Sequence, residues 1–462
     1  MLIKKDFYNR HIAITEIDSK LTYGDAARFS NDIGKYLSQR GLIFCLVKNN
    51  IESLFGYVAS VENKVVTVLL DAELSVSNLK KLLEAYSPNY LWLEKQTCQK
   101  HFSDYKVLFG YKNYSLIKYN NNMVPVNNDL ALLLTTSGST GSPKLVRLSY
   151  KNVLENAKSI KVYLSLNKDE KPITSLPMFY SFGLSVINSH LISGSEIVLT
   201  NSSITQKKFW NLVKKHSVTS LSGVPYTYQI LKRFRFFKMD LPFLKTLTQA
   251  GGKLNNELVK EFAEHSRKNN RKFIVMYGQT EATARMSYLP FKLVENNPDS
   301  IGFAIPNGKF KIIDESGNEV AEEEHGELVY SGPNVSLGYS ESKLDLIKDD
   351  ENNHILKTGD IAKKDKNGLF YIVGRKKRFI KLFGNRVSLD EAESLLKNLI
   401  NDCACTGDDD KMKIYLSEKN REKEIIDYIS KKLGIHYSAF VVRFVAEIPK
   451  NSSGKTLYAK LN

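Results

Sequence analysis

Two runs of consecutive apolar residues, Leu42-Ile43-Phe44-Cys45-Leu46-Val47 and Val65-Val66-Thr67-Val68-Leu69-Leu70, lack the polar alternation of a half-exposed strand. Each predicts a strand covered on both faces, as in a parallel sheet. Helix-period segments accompany them, one from Leu21-Thr22-Tyr23-Gly24-Asp25 to about Arg40 and one after Asp71 to about Tyr86. Strand, helix, strand, helix is the pattern of βαβ units, so the N-terminal part predicts an α/β layered domain. Tyr150 to Lys158 predicts a further helix, and Phe273-Ile274-Val275-Met276 a short strand. From 301 to 376 the pattern changes to short apolar runs bounded by turn residues, such as Gly326-Glu327-Leu328-Val329-Tyr330-Ser331-Gly332 and Gly368-Leu369-Phe370-Tyr371-Ile372-Val373-Gly374, which predicts a small β-rich subdomain.

At 462 residues the chain is too long for one hydrophobic core and is expected to divide into at least two domains. With 42% hydrophobic and 25% charged residues it has a globular composition. Neither a signal-peptide run nor a stretch of membrane-spanning length is found, so a cytoplasmic protein without membrane insertion is expected. Cys45, Cys98, Cys403 and Cys405 are too scattered for a disulfide framework, and Cys403-Ala404-Cys405 has no second pair nearby to complete a zinc site. The net charge of +16 is spread along the chain, with pairs such as Lys80-Lys81, Lys214-Lys215 and Lys431-Lys432 on amphipathic helices. Such faces are solvated by default, so nucleic acid is not the expected partner; the charge suits anionic ligands or an acidic partner.

Chemistry concentrates in Leu132-Leu133-Leu134-Thr135-Thr136-Ser137-Gly138-Ser139-Thr140-Gly141-Ser142-Pro143-Lys144. An apolar strand runs into hydroxyls and glycines and closes on a lysine, a composition able to surround a polyphosphate with N–H groups, hydroxyls and one cation. The P-loop pattern is excluded because Lys144 follows Pro143, and Gly454-Lys455-Thr456 fails it too, since position 449 is proline. Tyr277-Gly278-Gln279-Thr280-Glu281 follows the strand 273–276 and offers an aromatic ring, a hydroxyl and a hard oxygen ligand for Mg²⁺. The glycine pair Gly251-Gly252, taken alone, predicts a turn. No Ser-His-Asp or Cys-His arrangement stands out.

The loop, together with Tyr277 to Ala282, Lys357-Thr358-Gly359-Asp360, Gly374 to Lys381, Gly384-Asn385-Arg386-Val387 with Glu391 and Glu393, and Pro449 to Lys455, resembles the signatures of the adenylate-forming superfamily in the superfamily's order. That superfamily holds acyl-CoA synthetases, carrier-protein adenylation domains and luciferases. The resemblance implies a large N-terminal domain, 1–376, and a small mobile α+β domain, 377–462, pivoting near Lys377. It implies nucleotide contacts from Thr136, Ser137, Gly138, Ser139, Thr140, Gly141, Lys144, Gly251, Gly252, Tyr277, Gly278, Gln279, Thr280, Asp360 and Arg375, with Asp360 on the ribose hydroxyls and Glu281 on Mg²⁺. Tyr180, Phe182, Val224, Pro225, Tyr226 and Gly251 would line the acyl pocket. Tyr180 stands where acyl-CoA synthetases usually carry histidine, and the aspartate that holds an α-ammonium in amino-acid-selecting domains is missing.

By the same resemblance, Lys455, Glu281, Thr136 and Lys144 would catalyse attack of a small carboxylic acid on the α-phosphate of ATP, expelling pyrophosphate. A thiol, from CoA or from the phosphopantetheine of a carrier protein, would then take the acyl group once the face of Gly384 and Asn385 replaces Lys455. The short C-terminal part leaves less surface for CoA's nucleotide and so favours a carrier protein. A non-catalytic nucleotide binder and a luciferase-like oxygenase are the competing classes; oxygen uptake or light emission would reveal the latter.

Overall fold

The computed structural model describes residues 2–14, 19–37, 40–135, 144–397, 399–400, 402–408, 410–450 and 456–461. The first apolar run forms the strand Leu42–Val47, buried at every position. Its residues alternate between two cores: Ile43, Cys45 and Val47 pack on one face of the sheet, Leu42, Phe44 and Leu46 on the other. That division is why no polar residue interrupts the run. Leu42–Val47, Val66–Asp71, Tyr90–Glu94 and Leu130–Thr135 pair in parallel at the centre of an eight-stranded sheet. Antiparallel strands, Leu145–Ser149 and Gly338–Ser340 on one side and Tyr114–Lys118 and Val107–Tyr111 on the other, complete it.

Two predicted helices differ in extent. The first runs over Tyr23–Gly34, opened by a capping box in which Thr22 and Asp25 bond reciprocally, and it stops short of Arg40. At Gly34 the helix passes so close to Asn63 that a Cβ would lie 2.4 Å from its side-chain oxygen. The helix expected over 150–158 continues to Leu164, because Ile160 and Leu164 extend its buried face, and ends at Ser165 in the left-handed conformation.

The second sheet has nine strands. Ser220–Gly223, Thr246–Gln249 and Lys272–Tyr277 lie parallel and adjacent. Antiparallel strands continue it through Ser287–Leu289, Ser300–Ala304, Phe370–Arg375, Ile355–Lys364, Gly326–Ser331 and Lys309–Ile313. The strands expected between 301 and 376 therefore form, and they extend this sheet instead of standing as a sheet of their own. Backbone pairing costs less than leaving the edge at Lys272–Tyr277 open.

Residues between Ile380 and Phe440 share a separate apolar core. It is built on the strands Cys403–Asp408, Lys411–Leu416 and Phe440–Phe444, with the helices Leu389–Leu396 and Glu422–Leu433. Arg378 joins this body from the chain just before it. Its guanidinium bonds Asp390 at 2.5 Å and Glu393 at 2.6 Å and lies 3.8 Å from the Tyr458 ring, while the Tyr458 hydroxyl donates to Glu393. Among the described residues no helix is long and apolar enough to cross a membrane.

Candidate active site

In sheets with parallel strands, ligands collect beyond the carboxyl ends of the strands. Here Gly223, Gln249 and Tyr277 end three neighbouring parallel strands, so Val224-Pro225, Ala250-Gly251-Gly252 and Gly278 to Glu281 emerge side by side. The sheet thus gathers segments that are tens of residues apart in sequence.

Tyr277 and Gln279 converge on Asp360. The Tyr277 hydroxyl donates to the Asp360 carboxylate, and Gln279 Nε2 donates to the same oxygen at 2.9 Å and to the Thr358 carbonyl at 2.9 Å. Cross-strand pairing sets Arg375 opposite Asp360, with Nε 3.5 Å from its other oxygen. Asp360 is only 4% exposed, so burial raises its carboxyl above the usual range, while Tyr277, Arg375 and Gln279 oppose that rise. Burial, and then the Asp360 charge, push the Tyr277 phenol well above its ordinary value, so it remains a hydrogen-bond donor.

Gly278 fits because nothing larger does: a Cβ there would lie 1.7 Å from the Ala284 carbonyl oxygen. The Thr280 hydroxyl is 3.0 Å from that of Ser181, the first residue of the helix Ser181–Leu191. Thr280 is thereby placed at the positive end of a helix. Glu281 turns the other way. Its Oε1 accepts from the Tyr339 hydroxyl at 2.8 Å, and Lys144 Nζ lies over the Tyr339 ring at 3.9 Å. A carboxylate and an ammonium are so held on one aromatic side chain. Oε2 of Glu281 accepts no hydrogen bond among the described residues, which leaves a hard oxygen donor suited to Mg²⁺.

Tyr180 and Gly251 meet closely. Gly251 has φ +83°, and a Cβ on it would fall 2.7 Å from the Tyr180 hydroxyl and 3.0 Å from Val224. Burial pushes the Tyr180 phenol up to about 12, which leaves it neutral. Phe182, Val224, Ala250, Ile274 and Met276 form an apolar cluster against which Tyr180 packs. Pro225 stands over Gly252, where a Cβ would be 3.2 Å from the proline ring.

The structure does not bring every expected residue inward. Tyr226 is 46% exposed, outside the cluster, because Pro225 starts a helix at that point and turns the next side chain outward. Lys450 Nζ lies 5.7 Å from its ring centroid. Phe383 and Gly384, with φ +50° and +83°, form the turn of the hairpin Phe379–Leu382 and Asn385–Ser388, and Asn385 opens its second strand. Thr136, Ser137, Gly138, Ser139, Thr140, Gly141 and Lys455 lie outside the described residues, as does the side chain of Lys377. The backbone on either side of Lys455 is closed by a bridge between Lys450 and Thr456.

Tyr339 and Arg147 belong to the site and carry no motif. Arg147, fully buried, bonds the carbonyls of Leu337 and Tyr339 and the Glu351 carboxylate, which fastens the strand Gly338–Ser340 beside Leu145–Ser149. Only that long-range pairing brings Tyr339 to Glu281; the one local sign is an arginine inside an otherwise apolar strand. The cysteines are no candidates for a nucleophile. All four are buried and free of disulfides, and burial raises Cys45 and Cys403 to about 12.

Residues 5–340 match the family model described as AMP-binding enzyme. The chain belongs to that family. Among curated relatives of this AMP-binding enzyme, a probable 4-coumarate-CoA ligase 3 of Dictyostelium discoideum is 29% identical over 367 residues, which is 76% of this chain and 65% of the relative. A long-chain-fatty-acid-CoA ligase of Escherichia coli O157:H7 is 30% identical over 356 residues, 73% of this chain and 62% of the relative. The chain thus spans somewhat less than two thirds of the length of these relatives. The fold is that of solved adenylate-forming enzymes. o-Succinylbenzoate CoA synthetase of Bacillus subtilis, bound to its acyl adenylate, superposes with a TM-score of 0.80 at 23% identity, covering 98% of this chain and 95% of that one. ATP-bound MatB of Rhodopseudomonas palustris gives 0.81 at 19% identity, with 99% and 96% covered.

Proposed function

We propose that this AMP-binding enzyme activates a carboxylic acid with ATP and transfers the acyl group to a thiol. The observation that carries the reading is the convergence of Tyr277, Gln279 and Arg375 on the buried Asp360 beside the Glu281–Tyr339–Lys144 group. In the first step a carboxylate oxygen attacks the α-phosphorus of ATP as the bond to the bridging β-phosphate oxygen breaks, and pyrophosphate leaves. Charge develops on oxygens, so fixed cations and donors are what the reaction needs. Lys144, the Thr136–Gly141 loop and Lys455 supply them, while Tyr277 faces the base and Asp360 accepts from the ribose hydroxyls. Glu281 would hold Mg²⁺, which when bound neutralises phosphate charge.

In the second step the thiol sulfur attacks the acyl carbon and AMP departs. CoA is the acceptor to test first, because the curated relatives are named CoA ligases; a phosphopantetheinyl carrier protein is tested beside it. The separate core after Ile380 supports a division at 376/377, with rotation near Lys377 exchanging Lys455 for the Gly384–Asn385 face. The need for ATP and CoA supports a cytoplasmic location.

Purified protein with ATP and Mg²⁺ is expected to catalyse acid-dependent ATP–pyrophosphate exchange, and to form a thioester when CoA is added. Exchange with no carboxylic acid in a broad panel would overturn the reading. Asp360→Ala is expected to weaken binding of AMP about 10- to 100-fold, the cost of losing charge-assisted bonds to two hydroxyls. Calorimetric titration with AMP checks it; an unchanged affinity would remove Asp360 from the nucleotide site.

A further inference from the structure

The acyl cluster contains one cation that the chemistry above does not use. Arg285 is 2% exposed. Its Nε bonds the Ser185 hydroxyl at 3.0 Å, one terminal nitrogen bonds the Tyr163 hydroxyl at 3.1 Å and approaches Met276 Sδ at 3.5 Å, and the guanidinium lies 5.1 Å from the Phe182 ring centroid. Every one of these partners is neutral. Among the described residues no aspartate or glutamate pairs with Arg285, and its other terminal nitrogen has no hydrogen-bond partner.

An arginine keeps its charge at any physiological pH, and a buried charge without a counter-ion is costly. The contrast within this protein is direct, for the equally buried Arg147 is paired with Glu351 and the largely buried Arg378 with Asp390 and Glu393. Nor does the nearby imidazole of His190 help. His190 bonds the Val186 carbonyl through Nδ1 and has no partner on Nε2 among the described residues. Burial first, and Arg285 further, hold its imidazole down to about 4, so it adds no charge of either sign.

The backbone that delivers Arg285 is built for the purpose. Thr283 and Ala284, just before it, both have positive φ, 57° and 90°, a conformation that costs non-glycine residues free energy. Asn156 and Asn334 hold the Arg285 carbonyl at 2.8 and 3.2 Å. Strain and two buried amides together turn this side chain into the acyl cluster.

We propose that the acid activated here carries a second anionic group, a carboxylate in the simplest case, and that Arg285 receives it beside the Phe182 ring. The Phe182 ring is near both groups, its centroid 6.4 Å from that of Tyr180 and 5.1 Å from the Arg285 guanidinium. The inference rests on the acid-activating reading given above and names the substrate class for it.

The test is ATP–pyrophosphate exchange with matched pairs that differ only in the distal group: butyrate and succinate, hexanoate and adipate, benzoate and isophthalate. For at least one pair the wild type is expected to favour the diacid in kcat/KM by about 30-fold or more, the discrimination expected when a buried charged donor is left unpaired by the wrong substrate. Arg285→Met is expected to reverse that preference, and Arg285→Lys to restore part of it. A wild type that uses the monoacids as well as their diacid partners in every pair overturns the proposal, whether or not the variants fold. If no acid in any pair gives exchange, adenylation itself fails, and the anion site is judged by melting temperature in the presence of AMP. Adipate, and not hexanoate, must then raise the melting temperature of the wild type and not of Arg285→Met; no rise with any diacid overturns the site.

Discussion

Lys455→Ala is expected to lower ATP–pyrophosphate exchange about 100- to 1,000-fold, the usual consequence of removing one fixed donor from a developing oxyanion. Thioester formation from a chemically prepared acyl adenylate is expected to stay within about tenfold of the wild type, because in the proposed mechanism the cation acts in the first step and leaves before the second. The argument joins sequence to structure. Lys455 sits between Lys450 and Thr456, whose backbones pair. Lys450 in turn is fastened to Asp402 at 2.5 Å and lies near the ring of Tyr226, next in sequence to Pro225, whose ring stands against Gly252. Lys450, at one end of that backbone pairing, is therefore anchored beside Tyr226. Full exchange in the variant with loss of thioester formation alone would reverse this division of labour.

Gly278→Ala is expected to lose both exchange activity and stability, by about 3 kcal/mol or more if the protein folds, at the upper end of what overpacking costs. The added Cβ would lie 1.7 Å from Ala284 O, 2.6 Å from Ala284 C and 2.9 Å from Arg285 Cα. All three are backbone atoms, in a segment already held in strained conformations and bonded to Asn156 and Asn334, so the neighbour cannot give way as a flexible side chain would. Displacing the segment moves Thr280 and Glu281 on one side and Arg285 on the other. Gly317→Ala is the control: with φ +89° and nothing within 4 Å of the new Cβ, it costs only backbone strain, about 1 kcal/mol, and leaves exchange intact. Melting curves of the two variants, read beside exchange rates, separate the effects. A Gly278→Ala protein that melts and exchanges like the wild type would mean that the Ala284 segment is free to move.

Much of the molecule follows from local chemistry. Leu42 to Val47 predicts a strand buried on both faces because each neighbour in sequence faces the opposite layer, and the structure divides the six residues between two cores in that way. Tyr277 to Glu281 is legible as a site segment because it leaves the end of a strand with an aromatic, a glycine, a hydroxyl and a carboxylate in a row. Element lengths are less legible. The helix at Tyr23 stops at Gly34 where Asn63, nearly thirty residues later, stands against it.

Tertiary structure alone decided the rest. Tyr339 reaches Glu281 through a strand pairing that spans almost two hundred residues, and Arg147 secures it by bonding carbonyls whose positions no local pattern records. Tyr226, read with its neighbours as pocket lining, faces outward, since the helix begun by Pro225 fixes its direction. Arg285 is one basic residue among many in a chain of net charge +16. Its meaning comes from burial among neutral groups. A sequence records which groups are charged, while the cost of a charge depends on what surrounds it, and only the packed fold sets those surroundings.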